Sequence, residues 1–183
     1  MRSAALNIDS VLVELLPDHP AYESPEAAGL APARPGDAGI DLVACEAAEL
    51  APGQRTAVSA GIRIALPEGI EGQVRPRSGR ALREGLTVVN APGTIDPGYR
   101  GPVKVALLNA AAALDAADLE GDPDTLAERL ADGLARRTVR IERGERIAQL
   151  VFATFVRPEI EIVESVPIGT ERGEGGFGST GLA

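Results

Sequence analysis

The chain has 183 residues and a formal net charge of −9, with 44% hydrophobic and 25% charged residues. The length suits one domain with a buried core, and the acidic balance argues against a non-specific grip on nucleic acid polymer, which needs a basic face. Cys45 and His19 are the only residues of their kinds, so an intrachain disulfide is excluded, and zinc sites or triads built from such residues are disfavoured.

Short runs of β-branched and leucine residues, separated by Pro and Gly turns, dominate the chain. This spacing is typical of an all-β sandwich or barrel. Aromatic residues make up only 3% of the chain, so we expect a core of Val, Ile, Leu and Ala. No apolar run reaches membrane-spanning length, which favours a cytoplasmic protein. We predict one domain over 1–183 with strands at 8–15, 39–44, 61–66, 70–75, 87–90, 103–108, 138–142, 147–155 and 160–163.

The segment 110–137 interrupts this pattern because it is Ala-rich and helical. Asp122 can cap a helix that has Pro123 at its first position. Three leucines then recur every four residues on one face, namely Leu126, Leu130 and Leu134. We predict a surface helix at about 122–136, inserted between two strands. Its role stays open between decoration of the surface and contact with a neighbouring subunit.

Two segments in the first half of the chain carry groups that can bind phosphate. The run 75–80 reads Arg-Pro-Arg-Ser-Gly-Arg, and its guanidinium forks, hydroxyl and unobstructed backbone N–H groups suit an anion pocket. An exposed basic turn is the alternative. Asp41 places a carboxylate within a predicted strand, where it is either a site residue or an ordinary edge-strand aspartate.

The segment 88–100 predicts a hairpin after a strand, with Asp96 directly before Pro97 and Gly98. Taken alone, Asp96 is more typical of a residue that sets up the turn than of a catalyst. Gln149 lies near the start of a later strand and needs hydrogen-bond partners at a buried-facing position, either in the core or in a site.

The final segment, 167–183, is rich in Gly, so we expect it to be mobile on its own. Gly lets backbone N–H groups approach phosphates closely. Phe177 is a rare aromatic at a place where a solvated tail would not use one. A base-stacking lid that orders on binding explains both features, whereas a disordered tail explains only the first.

Taken in order, these five segments resemble the five motifs of the trimeric dUTPase family. They read AGIDLVA from Ala38, RPRSGRA from Arg75, VVNAPGTIDPGYRG from Val88, RIAQLVF from Arg146 and RGEGGFGSTG from Arg172. The resemblance implies a jelly-roll-like β-barrel and a homotrimer with active sites at subunit interfaces. It also implies hydrolysis of dUTP to dUMP and pyrophosphate, which limits uracil incorporation into DNA and supplies dUMP for thymidylate synthesis.

The resemblance gives each motif a role. Asp96 matches the carboxylate that deprotonates a water for attack on the α-phosphorus, and Tyr99 matches the residue beneath the deoxyribose. Asp41 resembles an acid that supports the phosphate-binding arginine and the water shell of Mg²⁺, which has no direct protein ligand because the triphosphate and water hold it. The implied substrate-binding residues are Arg77, Ser78, Gly79 and Gln149 on the phosphates, Asn90, Gly93, Thr94 and Ile95 around uracil, and Arg172, Phe177, Gly178, Ser179 and Thr180 on a closing arm.

The chain departs from the family pattern at three places. Gly98 stands where an acid is common, Arg80 stands where an apolar residue is common, and the insertion at 110–137 is extra. A dCTP deaminase shares the hairpin but needs a Glu in the next strand, where this chain has Val105-Ala106-Leu107. A non-catalytic nucleotide-binding regulatory protein on the same fold is a further alternative, against which the retained Asp96 argues.

Overall fold

The computed structural model describes residues 10–20, 30, 32–166 and 169–170, so the start of the predicted first strand and most of the predicted closing arm lie outside these ranges. Helical segments in the described ranges are α1 (Ser78–Glu84), α2 (Ala116–Leu119), a 3-10 turn (Pro123–Thr125) and α3 (Leu126–Arg137). None of these helices is long and apolar enough to cross a membrane. The strands of the same ranges are Leu12–Leu15 (β1), Gly39–Val43 (β2), Ala48–Leu50 (β3), Arg55–Ser59 (β4), Ile62–Ala65 (β5), Ile70–Arg75 (β6), Leu86–Val88 (β7), Gly93–Ile95 (β8), Lys104–Asn109 (β9), Val139–Ile141 (β10) and Arg146–Thr154 (β11).

All of these strands pair antiparallel, in four sheets. The largest sheet has the order β2-β11-β6-β8, and the next has the order β4-β9-β7. The other two sheets are the pairs β1-β5 and β3-β10. The predicted all-β, jelly-roll-like fold with an inserted helical segment is confirmed, but the described strands form separate sheets and not one closed barrel.

One cluster of buried aliphatic side chains forms the core and draws on all four sheets. Its members include Leu42 of β2, Leu50 of β3, Val58 of β4 and Ile62 of β5. Burial alternates along the strands, as in β6, where every second residue is buried, because successive side chains point to opposite faces. Each large aliphatic side chain removed from water contributes about 1.5–3 kcal/mol, and the predicted aliphatic core is confirmed.

The structure contains two strands that were not predicted, β3 and β4, and it differs from the predicted elements at three further places. Residues 160–163 form no strand, and Ile160 and Ile162 are 90% and 96% exposed. The segment after Arg77, for which an exposed basic turn was the alternative to an anion pocket, is the helix α1. The predicted hairpin after Val88 is a crossover between sheets, because β7 pairs with β9 whereas β8 pairs with β6.

The insertion lies outside the core. Asp122 accepts a hydrogen bond from the Asp124 backbone N–H at 3.0 Å and caps the 3-10 turn, so the predicted cap is confirmed and the helix continues to Arg137. Leu134, on the predicted apolar face, is 42% exposed. Among the described residues, the core cluster contains none from 110–137.

Asp118 joins the two helices of the insertion. Its side chain is 2% exposed, and its oxygens lie 2.8 Å from Arg137 Nη1 and 3.3 Å from Arg136 Nη2. Arg137 also pairs with Asp115, and this hydrogen bond lowers the pKa of Asp115. Gly133 makes the approach possible, because a Cβ at that position would lie 2.4 Å from Asp118 Oδ1.

We expect Asp118→Ala to lower the free energy of unfolding by about 1.5–3 kcal/mol, because two arginines lose a charge-assisted hydrogen bond to a buried acceptor. Urea denaturation followed by circular dichroism measures the change. Glu49→Ala is the matched control, since the Glu49 and Arg140 side chains are 60% and 65% exposed and such surface pairs contribute about 0–1 kcal/mol. Equal losses in the two variants would contradict the joining role of Asp118.

Candidate active site

The centre of the largest sheet aligns three of the predicted segments. Gln149 of β11 lies opposite Asp41 of β2 on one side and opposite Arg75 of β6 on the other. Directly opposed residues have Cβ atoms about 4.5–5.5 Å apart and share a face of the sheet. A carboxylate, an amide and the first residue of the arginine run therefore lie side by side.

Asp41 orients two arginines. Its Oδ1 lies 2.9 Å from Arg77 Nε, and its Oδ2 lies 3.4 Å from Arg146 Nε. Although β2 is an edge strand, the Asp41 side chain is only 19% exposed. A carboxylate that holds one edge of a guanidinium fixes the direction of its remaining N–H donors. Asp41 thus acts on the arginine run and is not an ordinary solvated edge residue.

Gln149 connects the first and second motifs. Its Nε2 donates to the Pro76 carbonyl at 3.0 Å, so the partner that a half-buried amide requires is present. Its Oε1 packs on Gly39, where a Cβ would lie only 2.5 Å away. Gly39 is therefore needed for the position of Gln149, and Gln149 holds the chain just before Arg77.

These residues line a cleft of about 550 Å³. Arg77 is the N-terminal cap of α1, so Ser78 and Gly79 form its first turn. A Cβ on Gly79 would lie 3.1 Å from Arg83 Nη1. The charged residues that line the cleft are four arginines and two aspartates, Arg75, Arg77, Arg80, Arg83, Asp37 and Asp41. In a chain of net charge −9, this local excess of positive charge suits an anion.

Asp96 does not lie in this cleft. It follows β8, is exposed, and lines a second depression of about 820 Å³ with Arg100, Phe155 and Arg157. In the β6–β8 register, Ile95 lies opposite Gly72, so Asp96 continues away from the end of β6 that carries Arg75. At about 3.3 Å per residue, roughly 15 Å of strand separates Asp96 from the arginine run. A single copy does not bring the two groups together.

The segment around β8 presents the residues matched to base and sugar. Asn90 is exposed and packs over Gly93, where a Cβ would lie 3.2 Å from its Nδ2. Thr94 is exposed whereas Ile95 is buried, and β8 is an edge strand of its sheet. Tyr99 is 44% exposed, and its hydroxyl donates to the Pro102 carbonyl at 2.9 Å. An edge strand leaves backbone N–H and C=O groups available to a ligand.

A nucleophilic site at Cys45 and His19 is not supported. Both side chains are buried beside Gly61. Burial raises the pKa of the Cys45 thiol to about 11 and lowers the pKa of His19. Both groups are therefore neutral near pH 7, and no reactive thiolate forms.

The closing arm predicted from Arg172, Phe177, Gly178, Ser179 and Thr180 lies outside the described residues. In the described ranges, no group of three or more His, Cys, Asp or Glu residues is arranged to hold a metal ion. Three charged residues of the cleft region, Arg146, Arg83 and Asp37, were not predicted as site residues. Arg146 begins one of the five motifs, but the resemblance gives it no role. For Arg83, the sequence offers no indication of a site residue apart from its charge.

A family model for dUTPase matches residues 25–114 and 133–181 of the chain. The gap between the two ranges falls within the helical insertion. Every motif described above, from Ala38 to Gly181, lies inside the matched ranges.

Curated proteins and solved structures agree with this match. The deoxyuridine 5'-triphosphate nucleotidohydrolase of Cutibacterium acnes is 46% identical over 151 residues, which cover 82% of this chain and 84% of that protein. The Brucella melitensis protein of the same name is 44% identical over 171 residues, covering 91% and 86%. The Staphylococcus bacteriophage 80alpha dUTPase with dUPNHPP is 26% identical, with a TM-score of 0.72 and coverage of 95% of this chain and 99% of that one.

The order of the five motifs in the sequence, the antiparallel sheets of the described residues and the family match over most of the chain agree with one another. The chain belongs to the dUTPase family.

Proposed function

We propose that the chain hydrolyses dUTP to dUMP and pyrophosphate, and so limits uracil incorporation into DNA and supplies dUMP for thymidylate synthesis. The observation that carries this proposal is the cleft in which Asp41 orients Arg77 beside Ser78 and Gly79. The bacterial relatives carry the name of this activity. A triphosphate needs only a local cluster of donors, which an otherwise acidic chain can provide.

The cleft binds the phosphates. Phosphoryl transfer depends mainly on positioning and on neutralisation of charge. Arg77 supplies guanidinium N–H donors that Asp41 has already oriented, and Ser78 supplies an exposed hydroxyl. The Gln149 amide uses one N–H on the Pro76 carbonyl and has a second for a phosphate oxygen. Gly79 lets the phosphate approach the backbone closely.

Mg²⁺ is the cofactor that we propose, and when bound it neutralises charge on the triphosphate. Asp41 lines the cleft, but both of its oxygens face arginines. This arrangement fits a contact to the ion through water and not direct ligation. The substrate phosphates and water would then provide its oxygen ligands, the type that Mg²⁺ prefers.

Asp96 acts as the general base. Its carboxylate is exposed to solvent, and its own carbonyl accepts a hydrogen bond from the Tyr99 backbone N–H at 3.0 Å, which closes the turn and fixes the backbone. We infer that Asp96 takes the proton of a water as that water attacks the α-phosphorus. Pyrophosphate is the leaving group.

Residues at the exposed edge of β8 bind and select the base. Asn90 and the backbone at Gly93–Ile95 present amide donors and acceptors that can pair with the uracil edge, and the exposed Thr94 lies beside them. Tyr99 packs beneath the deoxyribose and leaves no space for a ribose 2′-hydroxyl. Exclusion of the thymine 5-methyl group is steric, and such exclusion can discriminate far more strongly than the absence of one methylene.

The complete site requires more than one copy, and we propose a homotrimer. The cleft and Asp96 lie at opposite ends of β6 in one chain, so a neighbouring copy must supply one of them. The stretch after β11 also carries apolar side chains that a lone copy leaves in water, since Val156, Ile160 and Ile162 are 89%, 90% and 96% exposed. Apolar exposure on this scale marks an interaction surface.

We expect Asp96→Asn to lower kcat about 10²–10⁴-fold, because the amide cannot accept the proton of the attacking water. The Kd for a non-hydrolysable dUTP analogue should stay near the wild-type value. A pyrophosphate-release assay across the deoxynucleoside triphosphates measures the rate, and Asp132→Asn on the exposed face of α3 is the matched control. Unchanged kcat in Asp96→Asn refutes the general-base role, and ammonia release from dCTP by the wild type favours a deaminase.

Mixing two inactive variants tests whether neighbouring copies share a site. Asp96→Asn and Arg77→Ala should each be inactive alone. Co-expressed in equal amounts, they should recover about a quarter of wild-type activity, because random assortment in a ring pairs an intact Asp96 with an intact Arg77 at that frequency. Activity of the mixture no higher than the mean of the two variants would show that both residues act from one copy.

A further inference from the structure

Arg80 is the buried residue of α1. Its side chain is 11% exposed, and it is the only residue of this helix that is buried. Leu82, the large apolar residue of the same helix, is 90% exposed. A short surface helix is usually held by an apolar face packed on the core. In α1 the buried group that holds the helix is the guanidinium of Arg80. The family pattern favours an apolar side chain at this position.

The donors of Arg80 are directed to protein acceptors. Its Nε and Nη2 donate to Glu84 Oε2 at 2.9 and 2.7 Å, within α1. Its Nη1 donates to Glu145 Oε2 at 3.2 Å, and its Nη2 lies 3.4 Å from the Arg140 carbonyl. Arg80 therefore lines the cleft with four of its five N–H donors directed to protein acceptors.

Glu145 belongs to the turn that leads into β11. Its carboxylate also accepts from the Glu142 backbone N–H at 3.2 Å, which closes the turn. The Glu145 carbonyl accepts from the Ala44 backbone N–H at 2.8 Å, directly after β2. The next residue is Arg146, which faces Asp41. Through Glu145, Arg80 connects α1 to the two strands that carry Asp41 and Gln149.

We propose that Arg80 is a positioning residue, which fixes α1 against the β10–β11 turn and so holds Arg77, Ser78 and Gly79 in place for the phosphates. The inference rests on the proposed function, because it takes the cleft as the phosphate site. The N-terminal cap of α1 has no side-chain hydrogen bond, and Arg80 is the only buried side chain along its length. Without Arg80, the phosphate-binding residues lose their fixed distance from Asp41 and Gln149.

The first test is Arg80→Leu, which restores the apolar residue type common in the family. The test compares two inhibitors. Pyrophosphate binds through its phosphate groups alone, whereas deoxyuridine carries the base and the sugar but no phosphate. We expect KM for dUTP and the Ki of pyrophosphate to rise about tenfold, as for the loss of one charge-assisted contact. The Ki of deoxyuridine should stay within about twofold of wild type, since base recognition does not involve α1. A purely structural role would lower Tm without this selectivity.

Glu145→Ala separates positioning from direct phosphate binding by Arg80. If Arg80 positions α1, this variant loses one support and inhibition by pyrophosphate weakens. If Arg80 binds phosphate itself, the variant frees its guanidinium from a competing carboxylate and inhibition by pyrophosphate strengthens, which overturns the proposal. Arg80→Lys should be intermediate, because one ammonium cannot form the fork that spans Glu84 and Glu145.

Arg140→Leu is the matched control, because its side chain pairs only with the exposed Glu49 among the described residues, and it should behave as wild type. Unchanged KM and pyrophosphate Ki in folded Arg80→Leu would overturn the positioning role. If Arg80→Leu does not fold, the Glu145→Ala variant decides between the two roles of Arg80. Weaker inhibition by pyrophosphate supports positioning, and stronger inhibition supports direct phosphate binding. A wild-type protein that releases no pyrophosphate from dUTP refutes the proposed function itself, whereas normal wild-type turnover with unaffected variants refutes only the role of Arg80.

Discussion

The double pairing of β11 is the constraint on which the site depends. This strand is hydrogen-bonded to β2 on one side and to β6 on the other. Its register with β2 shifts between Arg146 and Ala148, and the shift places Gln149 opposite Asp41. With regular pairing from Arg146 onward, Ala148 would occupy that place, and Gln149 would turn to the other face. One irregularity in one strand thus brings the amide and the carboxylate onto the same face of the sheet.

The same sheet is also the reason for our proposal that one copy carries an incomplete site. β6 carries Arg75 at one end, and its antiparallel partner β8 leads to Asp96 near the other end, one position past Ile95, which pairs with Gly72. A strand is stiff over this length, so no side-chain rotation brings Asp96 to the cleft. The separation is useful chemically, because a carboxylate within the arginine cluster would be held by ion pairs, as Asp41 is. A carboxylate on an exposed turn stays available to a water.

The strands with clear apolar alternation and the residues within the motifs could be predicted from the sequence, whereas features that depend on distant partners could not. β4 was not predicted because only one of its five residues, Val58, is buried, so the strand shows no apolar alternation. The apolar alternation at 160–163 favours a strand, but a strand needs a partner edge, and none of the described strands pairs with this segment. α1 shows no apolar period because its buried residue is Arg80, whose partner Glu145 lies 65 positions away. Nothing local distinguishes that arginine from an exposed one.

Polar contacts hold α1 at its start and its middle, and a glycine ends it. Asp41 holds the cap residue Arg77, Arg80 reaches Glu145 from the middle, and Gly85 ends the helix with a φ of +73°. Gly85 also meets the start of the insertion, since a Cβ there would lie 2.8 Å from the Ala111 backbone nitrogen. Ion pairs and hydrogen bonds are directional, whereas apolar packing is not. A helix held in this way keeps a defined orientation as well as a defined distance from the sheet. Both are needed for the phosphate-binding role that we propose. The insertion, although it adds nothing to the core, therefore lies against the end of α1 through its first residues.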